Sequence, residues 1–295
     1  MSAKIIDGKQ VAAEMRAELK IKVAELKTKN IVPGLAVVLV GEDPASKSYV
    51  TAKERACEEI GIFSDDNRLD ADTTQEELMA LVHKLNNDPK INGILVQLPL
   101  PKHLNESEVL LAIDPNKDVD GFHPVNVGKM VVGEKAFWPC TPHGIIQLLL
   151  RSNVTIEGAE VVVVGRSNIV GKPIANMLIQ KSPTGNATVT VCHTRTKNMA
   201  DHVKRADIII AAAGWPNTVT ADMVKDGAVV IDVGVNRIED ETKKRGYRLV
   251  GDVDFEAIKE KASLITPVPG GVGPMTITML LYNTVESAEK AAGLK

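Results

Sequence analysis

Cysteine is scarce in this chain. Only three occur in 295 residues, Cys57, Cys140 and Cys192. They are odd in number and far apart, so neither a disulfide framework nor a zinc knuckle is indicated, and a reducing cytosol fits best. Long hydrophobic runs are missing too. No stretch approaches the roughly 18 apolar residues that a membrane span requires, and the opening MSAKIIDGKQ has no apolar signal core. A soluble, unprocessed, cytoplasmic protein is therefore expected. Nor is there an excess of charge of one sign. The 35 basic and 38 acidic side chains leave a net charge of −3, which argues against nucleic acid or an acidic membrane surface as the main partner. Internal repeats and low-complexity segments are absent.

What is present is a chain too long for one ordinary core, with 44% hydrophobic residues, so two domains of about 150 residues each are expected. Apolar residues at helical spacing run from Asp7 to Lys29, and Pro33-Gly34 breaks into the strand-like run Leu35–Val40. Asp43-Pro44 supplies a cap and a first-turn proline for a helix that reaches Ile60, where Gly61 stops it. Thr73-Thr74-Gln75-Glu76 reads as a capping box for a helix to about Asn86, followed by a buried strand over Ile91–Leu98. A polar, irregular stretch, IDPNKDVDGFHPVN, separates this series from a helix over Thr141–Arg151 and a second alternating series. Its strands are expected at Val161–Val164, Thr188–Cys192, Ile208–Ala212, Val229–Val233 and Leu264–Thr266. Asn236–Val250 has the look of a hairpin arm. Pro274 opens an apolar helix, Met275–Ala292, placed to fold back onto the first domain. Such alternation predicts an α/β fold with parallel sheets and ligands at the carboxyl ends of the strands.

The segment VVVVGRSNIVGKP, Val161–Pro173, outlines an anion site: glycine lets backbone approach a phosphate, a helix N-terminus follows, and Arg166 adds a positive fork. The G-x-G-x-x-G spacing of dinucleotide folds is not there, because the glycines stand at 165 and 171, and an ordinary glycine turn stays open as an alternative. Also missing is the acid that closes the second strand of an NAD-binding unit. In its place stands Cys192-His193-Thr194-Arg195-Thr196, a basic and hydroxyl-bearing turn that suits a 2′-phosphate, so NADP is the expected coenzyme. A solvated basic turn is the plainer reading.

On the helix from Pro44 to Ile60, Tyr49, Lys53, Ala56, Cys57 and Ile60 share one face. Lys53 either snorkels at the edge of that apolar stripe or sits in a cleft, where desolvation would lower its pKa and make it a proton carrier. Gln97, at the end of its strand, is placed to hydrogen-bond the lysine without adding charge. Asp118 and Asp120 in KDVDG form a paired-acid loop whose role is either chemical or turn-forming. ITPVPGGVGPMT, residues 265–276, suits a rigid connector or a loop lying against a flat ligand.

Taken together, Tyr49-Val-Thr-Ala-Lys53, Gly93-Ile-Leu-Val-Gln97-Leu-Pro-Leu-Pro101, Lys117-Asp-Val-Asp120-Gly, Pro139-Cys-Thr-Pro142, Gly165 through Pro173 and Thr266 through Thr276 resemble, over nearly the whole chain, the bifunctional methylenetetrahydrofolate dehydrogenase/methenyltetrahydrofolate cyclohydrolase family of one-carbon metabolism and purine biosynthesis. The resemblance implies an N-terminal α/β catalytic domain that binds folate (1–145 plus 276–295) and a Rossmann-like NADP-binding domain (146–275), with a cleft between them, in a protein that is usually a homodimer. It implies NADP-dependent oxidation of 5,10-methylenetetrahydrofolate and hydrolysis of the methenyl product to 10-formyltetrahydrofolate. By the same resemblance Lys53 handles the proton of the hydrolytic step and Gln97 tunes it, Tyr49 stacks on the aminobenzoyl group, and Asp120 binds the pterin. Pro269 and Gly270 line the folate side. Gly165, Arg166 and Ser167 hold phosphates and ribose, Thr194 and His193 lie near the 2′-phosphate, and Val235 lies near the nicotinamide. Mitochondrial relatives that use NAD with phosphate and magnesium carry arginine at the position of Thr194 and aspartate at that of Asn186. Neither substitution is present here. A dehydrogenase without the hydrolase, or a non-catalytic NADP- or folate-binding module, are the competing readings.

Overall fold

The computed structural model describes residues 2–243 and 246–294. The elements run β1 (Lys4–Ile5), α1 (Gly8–Thr28), β2 (Gly34–Val40), α2 (Pro44–Ile60), β3 (Phe63–Leu69), α3 (Gln75–Asn87), β4 (Gly93–Val96), α4 (Glu106–Ala112), α5 (Pro124–Val132) and α6 (Cys140–Arg151). They continue with β5 (Glu160–Val164), α7 (Gly171–Leu178), β6 (Thr188–Cys192), α8 (Met199–Val203), β7 (Ile208–Ala211), β8 (Val229–Asp232), β9 (Asn236–Glu239), β10 (Tyr247–Val250), α9 (Phe255–Lys259), β11 (Leu264–Ile265) and α10 (Val272–Ala291). The chain divides into two compact units. One comprises residues 13–140 and 277–295, the other residues 1–12 and 141–276.

The first unit is built on a parallel three-stranded sheet, β3-β2-β4. Strand β2 is buried along its whole length, as expected for the aliphatic centre of a parallel sheet covered on both faces. On one face it meets Leu78, Val82 and Leu85 of α3. Helix α2 begins as its sequence predicts: the Asp43 carboxylate accepts the Ser46 N–H, Pro44 occupies the first turn, and Gly61 ends the helix in the left-handed region. The capping box of α3 lies one residue later than expected. Thr74 and Glu77, not Thr73 and Glu76, satisfy each other's backbone N–H groups. Three elements of this unit carry no expectation from the sequence. Strand β3, FSDDNRL, is a polar edge strand without an apolar run. Helices α4 and α5 stand at the two ends of the stretch expected to be irregular, α4 just before it and α5 starting in its last residues, each short and entered through a side-chain cap, Asn105 and His123.

The second unit carries a six-stranded parallel sheet in the order β1-β11-β8-β7-β5-β6. Strands β5, β7 and β8 are almost entirely buried and supply most of its core. The order reverses between β5 and β7, which is the switch point of a doubly wound fold, where ligands bind beyond the carboxyl ends. The far edge is closed by β1, a two-residue strand formed by Lys4 and Ile5 that the sequence gives no sign of. The arm expected over Asn236–Val250 is an antiparallel hairpin of β9 and β10.

The C-terminal part of α10 packs in the first unit, in line with the expectation that it folds back. Its buried Asn283 donates to the carbonyls of Val119 (2.8 Å) and Trp138 (3.0 Å), and Ser287 donates to those of Asn92 (2.6 Å) and Asn116 (2.9 Å). No helix among the described residues is long and apolar enough to cross a membrane. Replacing Asn283 by alanine removes both of its bonds; the Val119 carbonyl keeps the Cys140 thiol and the Trp138 carbonyl lies at a half-buried site, so each lost bond costs about 0.5–1.5 kcal/mol. Urea unfolding of Asn283→Ala is expected to show a loss of about 1–3 kcal/mol, and a loss near zero would remove Asn283 as the clamp.

Candidate functional site

Lys53 and Gln97 approach each other from neighbouring elements. Lys53 sits in the middle of α2, only 9% exposed. Gln97 is the first residue past β4; its N–H still donates to the Val38 carbonyl at 2.8 Å, so its side chain stands at the carboxyl edge of the three-stranded sheet. The Lys53 Nζ donates to Gln97 Oε1 at 2.8 Å, and Gln97 Nε2 donates to the Leu98 carbonyl at 2.7 Å. The second bond orients the amide, since Nε2 is engaged elsewhere and only the oxygen is left to face the amine. Burial lowers the Lys53 pKa below its ordinary value, and the negative charge of Asp120 opposes that shift. Of the two readings open in the sequence, the structure favours the buried lysine over the snorkelling one.

The paired acids separate into two roles. Asp118 is turn-forming: one carboxylate oxygen accepts the N–H groups of Gly121 and Phe122, and the other accepts His123 N–H at 2.8 Å and Asn126 Nδ2 at 2.9 Å. Asp120 makes no comparable set of loop bonds. Burial raises its pKa to about 6, against the lowering effect of the Lys53 charge, and the Cys140 thiol hydrogen-bonds to it. Cys140 is itself fully buried, with Sγ also directed at the Val119 carbonyl at 3.3 Å. Tyr49, one turn before Lys53 on α2, is 49% exposed and presents its ring to solvent. Lys53 and Gln97 are thus joined by a hydrogen bond, Asp120 acts on the amine through charge, and Tyr49 lies one turn away on α2. Cys140 entered the sequence reading only within Pro139-Cys-Thr-Pro142, with no role of its own, and Asn283 escaped it, because a mid-helix asparagine carries no local pattern.

In the other unit the residues expected at a nucleotide cluster on one edge. Val164 and Cys192 are register partners, and Gly165 N–H donates to the Cys192 carbonyl at 2.8 Å, so the turns after β5 and β6 lie side by side. Gly165 has φ +134°, and a Cβ there would collide with the Ala212 carbonyl. Only glycine fits this crossing. Arg166 and Ser167 follow on the exposed turn. The Ser167 hydroxyl accepts the N–H groups of Val170 (3.1 Å) and Gly171 (3.3 Å), which shapes the entry to α7. After β6, His193 Nδ1 accepts the Arg195 N–H at 3.1 Å. A neutral imidazole therefore carries its proton on Nε2, available to an acceptor. Thr194 and Arg195 are exposed, and no carboxylate stands in this turn. Asn186 closes the preceding loop in the left-handed region, with Nδ2 on the Ser182 carbonyl.

Val235, 53% exposed, follows β8, and Gly270, with φ +109°, follows the exposed Pro269. This edge also holds two buried carboxylates that the sequence reading missed, Asp232 and Asp252. Burial raises the pKa of Asp232 to about 7. An acid ending an otherwise aliphatic strand, Val-Val-Ile-Asp232, was the available signal. The donors after β5 and β6, and the close glycine crossing, fit a dinucleotide with an extra phosphate.

Residues 6–120 match the family model for the tetrahydrofolate dehydrogenase/cyclohydrolase catalytic domain, and residues 139–292 match that for the NAD(P)-binding domain of the same enzymes. The bifunctional protein FolD of Geotalea uraniireducens is 58% identical over 288 residues, 98% of this chain and 99% of that one. The crystal structure of the bifunctional enzyme FolD, a methylenetetrahydrofolate dehydrogenase/cyclohydrolase from Campylobacter jejuni, is similar with a TM-score of 0.92 at 50% identity, covering 98% of this chain and 99% of that one. The Trypanosoma brucei methylenetetrahydrofolate dehydrogenase-cyclohydrolase, complexed with NADP cofactor and an inhibitor, has a TM-score of 0.93 at 41% identity, with 99% of both chains covered.

Exchanging the neutral acceptor for a charged one reverses the electrostatics at the amine. Gln97→Glu is expected to raise the Lys53 pKa and hold it as ammonium at neutral pH. Nitrogen-15 NMR titration of the lysine amine reads this directly, and an unmoved or lowered midpoint would show that the 2.8 Å contact does not control its protonation.

Proposed function

Because the chain belongs to the tetrahydrofolate dehydrogenase/cyclohydrolase family, we propose that it oxidises 5,10-methylenetetrahydrofolate with NADP to the 5,10-methenyl cation and then adds water to that cation, giving 10-formyltetrahydrofolate. When bound, NADP supplies the hydride acceptor. The observation that carries the hydrolytic half is the buried amine of Lys53 on a neutral partner, Gln97. A neutral amine can donate one N–H to Gln97 Oε1 and still offer its lone pair to the proton released by the attacking water. Adjacent glutamine rather than carboxylate leaves that lone pair free, whereas an ion pair would lock the ammonium form.

Asp120, ionised above about pH 6, is suited to accept N–H groups of the pterin, and the exposed Tyr49 ring to stack on the aminobenzoyl group. On the other unit the Arg166 fork, His193 Nε2 and the Thr194 hydroxyl are suited to the 2′-phosphate, with Gly165 and Ser167 beside the remaining phosphates and Val235 at the nicotinamide half. The absence of an acid from the turn after β6 supports NADP over NAD. The same reading extends to a cytoplasmic homodimer that supplies one-carbon units for purine biosynthesis.

Two variants test the two halves. Lys53→Met is expected to lower methenyltetrahydrofolate hydrolysis by about a hundredfold or more, and full retention of that activity would overturn the role of the amine. Removing the Arg166 fork forfeits about 1.5–3 kcal/mol of charge-assisted bonding. Arg166→Ala should therefore lose about 10- to 150-fold in kcat/KM for NADP and much less for NAD. Equal losses with both coenzymes would place Arg166 away from the 2′-phosphate.

A further inference from the structure

Asp232 and Asp252 are 2% and 0% exposed, and their carboxylates accept hydrogen bonds from backbone and amide N–H groups. Asp252 Oδ2 accepts the backbone N–H groups of Ala213 (2.6 Å) and Gly214 (2.8 Å), in the loop after β7, while Oδ1 accepts Asn236 Nδ2 (2.9 Å) at the start of β9. Asp232 Oδ1 accepts the N–H groups of Gly234 (3.0 Å) and Asp252 (2.8 Å), and Oδ2 accepts that of Val253 (3.2 Å). The Asp232 N–H in turn donates to Thr266 Oγ1 at 2.7 Å, at the head of the loop after β11. Three strand-end segments are thus tied to one another through two carboxylates, and the Thr266 hydroxyl joins a fourth through the Asp232 backbone. The packing leaves no room for error: a Cβ on Gly251 would collide with the Asp232 carboxylate, and a Cβ on Gly234 with that of Asp252.

We infer that Asp232 and Asp252 are positioning residues for the coenzyme: by holding the Ala213–Gly214 and Gly234–Val235 backbone, they set the surface on which the nicotinamide half is seated. Two buried carboxylates side by side are costly unless N–H donors satisfy them. Apolar residues would fill the same volume at less cost but would leave the backbone N–H groups of Ala213, Gly214, Gly234 and Val253 without acceptors. The arrangement converts that cost into fixed geometry at the strand ends, where a doubly wound sheet binds its ligand. The inference rests on the proposed function, in that NADP is taken as the ligand of this edge.

The bifunctional chain carries its own control, because hydrolysis of methenyltetrahydrofolate consumes no coenzyme. Asp252→Asn keeps the side-chain volume but forces an NH₂ or a single oxygen onto donors that had two oxygens. It is expected to weaken NADP binding, read by calorimetric titration, by about tenfold or more, and to raise the KM for NADP in the dehydrogenase assay to match, with coenzyme-free hydrolysis staying within about twofold of the parent protein. Gly251→Ala should reproduce this split by pressing on Asp232. Unchanged NADP affinity in both variants would overturn the inference, as would parallel loss of hydrolysis and NADP binding, which marks general structural damage. The parent protein distinguishes the two readings: NADP binding without folate oxidation would sink the proposed dehydrogenase, while the calorimetric comparison would still decide the role of the aspartates.

Discussion

An amine taken out of water needs either a carboxylate partner or a weakened hold on its proton. Lys53 is given a glutamine at 2.8 Å and an aspartate that acts on it through charge. Burying an ammonium costs several kcal/mol even after relaxation, and one amide oxygen repays only part of that. The remainder appears as a lowered proton affinity, and Asp120 keeps the fall from running further. A direct carboxylate contact in place of Gln97 would have yielded a structural ion pair. A fully apolar pocket would have yielded an amine with no oriented hydrogen and no fixed lone pair.

That balance depends on backbone held at a distance from the amine. Asp118 fixes the loop from Gly121 to Asn126 through backbone and amide donors, and the Asn283 amide from α10 fixes Val119 and Trp138 on either side of it. Between these two clamps Asp120 and Cys140 have little room to shift. A displacement of Asp120 by one or two ångströms would alter its Coulombic hold on Lys53, so residues remote from the amine determine its chemistry. The C-terminal helix is in this sense part of the site, although it contributes no acid or base to it.

The legible parts of the fold are those where one physical signal dominates. Aliphatic runs in β2, β5, β7 and β8 can be little other than buried strands, and Asp43-Pro44 with Gly61 marks both ends of α2. Strand β3 was not legible because its pairing with β2 is made by backbone alone, with polar side chains on an edge. Helices α4 and α5 are too short to establish a period, and Lys4–Ile5 becomes a strand only through β11, some 260 residues later in the chain. In the site, Lys53 and Gln97 were legible together because an apolar helical stripe and a strand end each have a direction. The Asp232–Asp252 pair was not. It is made by two residues 20 positions apart, brought together only by the fold.

Three aspartates show how the surroundings of a carboxylate sort its work. Asp118 and Asp252 spend their oxygens on N–H donors of the loops they hold, and so act as structure. Asp120 has a raised pKa of about 6 and an amine as its main cationic neighbour. Its charge opposes the fall in the Lys53 pKa, and the Lys53 charge opposes the rise in its own. Burial moves the two in opposite directions, the acid up and the amine down, which narrows the gap between their proton affinities relative to water. The same desolvation that makes the site expensive to fold is what brings its acid and its base within reach of each other.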